Sequence, residues 1–117
     1  MTEQELEKLH PLNREIEQYQ TRLKGPDLDP AEYCQGVRHV IVEHRAWVEK
    51  HLERIMAERD RLEGYIAAIE DEQTQLIFAY RFAAGMSWKA VAARLEGGLT
   101  AAACSKAVGQ YLERESA

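Results

Sequence analysis

In the first part of the chain, Leu6, Leu9, Leu12, Ile16, Tyr19 and Leu23 recur at three- and four-residue steps among charged residues. Thr2 and Glu5 precede them with capping-box spacing. The pattern predicts an amphipathic helix over residues 3–24. Pro11 interrupts it, either kinking the helix or serving as a first-turn residue of a shorter one beginning near His10. The run Lys24-Gly25-Pro26-Asp27-Leu28-Asp29-Pro30 predicts a loop. Directly after it, Asp29-Pro30-Ala31-Glu32 supplies a cap, a first-turn proline and an acidic first turn, the start signals of a further helix.

No breaker follows until about residue 70. The positions Val37, Ile41, His44, Val48, Leu52, Ile55, Arg59, Leu62, Ile66 and Ile69 form a seam of coiled-coil character, with His44 and Arg59 as polar interruptions. Helix 31–70 would be about 60 Å long and helix 3–24 only about 33 Å. Folded back as an antiparallel hairpin, the first covers the second over roughly residues 31–50. Leu52, Ile55, Leu62 and Ile66 are then left for the C-terminal module or another chain to cover, and a homodimer through these residues and Val48 is the expectation.

Beyond residue 70 the elements shorten. Leu76, Ile77, Tyr80 and Ala84 share one face of a helix over 71–84 that Gly85 ends, and the pattern leaves open whether it continues the long helix. Ser87 caps a helix to Leu95, Gly97-Gly98 make a turn, and Thr100 caps a last helix to about Arg114. Three short helices with tight turns have the dimensions of a helix-turn-helix unit. Small Ala92 lets the two helices approach. Val91, Leu95, Cys104, Val108, Tyr111 and Leu112 supply apolar contacts, and Trp88 is placed to wedge near Tyr80 or Phe82. The fold class is all-α: an N-terminal antiparallel hairpin or coiled coil over 1–70, then a helix-turn-helix module over 71–117.

Charge divides along the same boundary. The chain of 117 residues has a net charge of -5, but residues 1–74 hold 10 Lys and Arg against 17 Asp and Glu, whereas residues 75–117 hold 5 against 3. The acidity lies on the hairpin. With 45% hydrophobic and 30% charged residues the composition is that of a folded α-rich protein. Cys34 and Cys104 have no disulfide or zinc spacing and fit a reducing compartment, and no leader or membrane-spanning run is found, so a cytoplasmic location is expected.

The combination Ile69-x-Asp71, Leu76-Ile77, Arg81-Phe82, Gly85, Ser87-Trp88, Val91-Ala92, Leu95, Gly97-Gly98, Thr100, Cys104, Lys106 and Tyr111-Leu112 resembles small phage-encoded regulators related to the DNA-binding region four of sigma factors, including late-transcription activators. The resemblance covers residues 69–114 by motif and the N-terminal half by architecture. It implies a transcription regulator that binds double-stranded DNA through the helix starting at Thr100, with host RNA polymerase as a further contact. The residues offered are Ser105, Lys106 and Gln110 for reading bases, with Lys89, Arg94, Thr100 and Arg114 for phosphates. So few basic groups give one copy little affinity, a second reason to expect a dimer.

A metal site at His39, Glu43, His44 and His51 lacks a recognised ligand spacing, and no glycine loop or nucleophile elbow points to catalysis, so neither enzyme nor cofactor is expected. The competing reading is a protein-binding adaptor, or an inhibitor of a host protein, that reuses the helix-turn-helix. The alanines at the start of the last helix favour it, because they offer base edges no hydrogen bond.

Overall fold

The computed structural model describes residues 1–24 and 34–116. Among these the chain is all-α, with α1 Glu3–Leu6, α2 Leu9–Lys24, α3 Gln35–Ala67, α4 Glu72–Phe78, α5 Trp88–Arg94 and α6 Ala101–Ser116. Thr2 caps α1 as its position suggested, its hydroxyl accepting from the Glu5 N–H at 3.2 Å. The single helix expected over 3–24 is broken at Glu7–Lys8. Four residues beyond Glu7, Pro11 cannot donate to the Glu7 carbonyl and its ring would press on it, so the chain restarts and Pro11 falls in the first turn of α2. The expected loop and the helix start at Asp29 lie outside the described residues.

Contacts between α1–α2 and α3 run in reverse register. Glu5 meets Arg61 at 3.3 Å, Glu15 meets His51 at 3.1 Å, the Tyr19 ring lies 6.4 Å from that of Trp47, and the Leu23 carbonyl accepts from Arg45 at 3.5 Å. The two elements are therefore antiparallel. Ile16, Val48 and Leu52 are buried where they pack.

The question at residue 70 is settled by two polar side chains. Asp71 caps α4, its carboxylate accepting from the Thr74 N–H at 3.0 Å and the Thr74 hydroxyl at 2.6 Å. The Gln75 amide turns back and donates to the Ile66 and Ala67 carbonyls at 3.3 and 3.1 Å, so terminal carbonyls of α3 are satisfied without another helical turn. The chain bends here. Its next helix is α4, which widens into a π-helical turn, Ala79–Ala83, where the Ala84 N–H donates to the Ala79 carbonyl at 3.0 Å.

The bend brings α4–α6 back onto the end of α3. Leu6, Leu9, Leu62, Ile66, Ile69, Ile77, Phe78, Phe82, Val91, Cys104, Val108 and Leu112 form one buried core spanning both sides of residue 70. Phe78 is at its centre, 5.5 Å from the Phe82 ring and 5.3 Å from that of Tyr111. Of the two covers open to the lower seam, the chain's own is present. Leu62 and Ile66 are buried by α1 and the C-terminal helices, Val48 and Leu52 are buried as well, and Ile55 is half-buried. The seam offers no free surface to a second chain unless the core unpacks. The molecule is elongated, 62 × 30 × 19 Å.

Candidate functional site

Two helices and a tight turn position the residues that the sequence offered for nucleic acid. Ser87 caps α5, accepting from the Ala90 N–H at 3.2 Å, and Thr100 caps α6, accepting from the Ala103 N–H at 3.1 Å. Between them Gly97 and Gly98 have φ of 102° and 70°, which residues with a side chain rarely adopt. Val91, Cys104, Val108 and Leu112 point into the core, with Ala92, Leu95 and Tyr111 packed at its edge. Burial pushes the Cys104 thiol up, which keeps it protonated and inert.

The opposite faces look outward. Lys89, Arg94, Thr100, Ser105, Lys106, Gln110 and Arg114 are all exposed. They do not form one patch. At 100° per residue, Ala102, Lys106, Gly109 and Glu113 occupy the middle of the outward face of α6, with Ser105 on one flank and Gln110 on the other. The small residues leave Lys106 standing clear. Arg114 instead lines a cleft with Tyr65, Glu70, Asp71, Thr74, Tyr111 and Glu115, and Arg94 lines a recess with Glu72 and Glu96. Carboxylates thus share both linings, while neither guanidinium forms an ion pair among the described residues. Burial holds the Tyr65 and Tyr111 phenols above their ordinary range, so both stay neutral hydroxyls at the cleft.

Two residues that the sequence reading did not weigh for this region matter to it. Glu113 places a negative charge on the outward face of α6, visible in the sequence only once the buried face is known. Arg81 stacks its guanidinium 4.6 Å from the Trp88 ring centre and donates to the Met86 carbonyl at 2.9 Å. Trp88 is thus held from the preceding helical segment by a cation and packs on the core rim, rather than by Tyr80 or Phe82 alone.

Of the histidines of α3, His39 pairs with Glu43 at 3.1 Å and the other two form a ladder. His44, Trp47 and His51 are stacked at 6.2 and 5.1 Å, and His51 donates to Glu15. Among the described residues no three His, Cys, Asp or Glu side chains converge as metal ligands, and no helix is long and apolar enough to cross a membrane. Comparison of the chain with models of known protein families, with curated proteins and with solved structures finds no match.

Proposed function

We propose that this chain is a sequence-specific DNA-binding transcription regulator of phage or prophage type, acting in the cytoplasm as a homodimer, with α5 and α6 as a helix-turn-helix resembling region four of sigma factors. The observation that carries the reading is the outward face of α6: a helix capped by Thr100 at a glycine turn, fixed by Cys104, Val108 and Leu112, and presenting Ser105, Lys106 and Gln110 among small residues, with Glu113 the one long neighbour. Such a face fits a major groove. The alanines and Gly109 allow close approach and methyl contact with thymine, Lys106 suits guanine, and Gln110 suits adenine. Lys89, Thr100 and, more weakly, Arg94 and Arg114 serve the backbone. Host RNA polymerase remains a proposed second contact, resting on the resemblance alone.

A second reading is favoured by one specific observation. Lys106 and Arg114 on α6 are matched in number by Glu113 and Glu115, so the helix itself carries no excess positive charge. A protein-binding adaptor would use the same face. Selection of bound duplexes from a random pool, repeated at two salt concentrations, separates the readings: a regulator returns a consensus, and an adaptor returns an unenriched pool. Lys106→Ala should weaken binding to every duplex and reduce the salt slope by about one, with Arg94→Ala having a smaller effect. Unchanged binding by both variants would overturn the DNA reading.

A further inference from the structure

The apolar face of α3 extends beyond its cover. Leu23 is level with Arg45, so the turns of α3 before about residue 43 have no described residue of α2 opposite them. Val37, Val40 and Trp47 remain 43%, 64% and 51% exposed. Val42, also exposed, stands on the opposite side of the helix, but these three are not scattered. Val37, Val40, His44, Trp47 and His51 follow one another at alternating steps of three and four, and at 100° per residue they form a strip about 80° around the helix from Ile41, Val48 and Leu52. The helix α3 therefore bears two seams, one filled by α2 and one that α2 touches only at Trp47 and His51, through Tyr19 and Glu15, and that is otherwise uncovered among the described residues.

We propose that a second copy of this chain docks on that second seam, the two α3 helices lying antiparallel with His44 of each level with Trp47 of the other. This rests on the homodimer of the reading above and is independent of DNA binding. Charge selects the occupant and the register. Glu43 and Lys50, both exposed, border the strip one heptad apart on the side away from α2, Glu43 with one oxygen 3.1 Å from His39 of its own helix. In the antiparallel pair Glu43 of each copy meets Lys50 of the other, twice by symmetry. Sliding by one heptad sets Glu43 against Glu43 in one direction and Lys50 against Lys50 in the other, and a parallel pair sets Glu43 beside Val48, with no charge of the partner to meet it. The indole of each copy then packs beside an imidazole of the other, continuing the ladder already formed within α3. Tyr19, edge-on to both Trp47 and His51, closes the flank towards α2.

The test is sedimentation of the full chain without DNA over about 1 to 200 μM, the range suited to a small interface. A reversible dimer is expected. Glu43→Lys and Lys50→Glu should each weaken it about tenfold by placing like charges together, and the double variant should recover the original affinity. Trp47→Ser should abolish it while circular dichroism shows unchanged helix content. A monomer at every concentration overturns the proposal, as does a dimer indifferent to both charge reversals. Since no DNA is present, neither result bears on the test of DNA binding.

Discussion

Gly85 is tied to a residue 75 positions away. Its φ of 71° ends the π-helical turn, and a Cβ placed there would come within 2.6 Å of the His10 ring. That ring is not free to yield, because its Nδ1 lies 3.2 Å from the Ala83 carbonyl, which can only accept, so Nδ1 carries the proton. Gly85→Ala should therefore cost about 2 kcal/mol, combining left-handed strain with displacement of the imidazole. His10→Ala should cost about 1 kcal/mol through the lost hydrogen bond. Denaturant unfolding of the double variant should show less than the additive loss, since the Cβ then meets no ring. Strict additivity would mean that the ring is not what opposes the Cβ. The glycine was legible in the sequence as a helix terminator. Its partner was not, because nothing local in the sequence couples His10 to Gly85.

At the scale of elements, the legible features were those set by adjacent residues. Ser87 and Thr100 cap their helices where short polar side chains precede apolar periodicity, and Gly97-Gly98 turns where the pattern stops. The corner at residue 70 was not legible, because Asp71 suits a helix cap and a helix surface equally and only the return of Gln75 to α3 separates them. The same corner has a pH signature. The Thr74 hydroxyl, and then the Thr74 N–H, hold the Asp71 carboxyl below its ordinary range. A carboxyl lowered in the folded state adds stability above its unfolded pKa and loses it as pH falls through the folded one, so the window lies below about pH 4. Asp71→Ala should lower the melting temperature by a few degrees at neutral pH and flatten its fall in that window. Thermal unfolding between pH 7 and 2.5 checks this, and parallel curves for the two proteins would count against the cap.

For the whole molecule, the sequence showed that one short helix cannot cover a long one, and the described α3, about 50 Å long, is still too long for α2. It did not show which cover wins. That depends on Leu6 and Leu9 reaching the same core as Phe78 and Val108, a packing result between segments some seventy to one hundred residues apart. Of the candidate site, the exposed residues were legible from periodicity. The nearness of Arg94 to Glu72 and of Arg114 to Glu70 and Asp71 was not, since those carboxylates lie in the segment around the corner at residue 70.

The length of α3 also sets a ruler. If two copies cross midway between His44 and Trp47, each Ile66 lies about 30 Å beyond the crossing, so the two sets of α4–α6 begin about 60 Å apart. At about 3.4 Å per step that is roughly 18 base pairs, about one and three-quarter turns of the duplex. On the proposed DNA-binding function, two half-sites at that separation should bind as a unit. Inserting about 5 base pairs between them should abolish the joint binding by turning one half-site to the far side, and inserting about 10 should restore part of it, as read by footprinting.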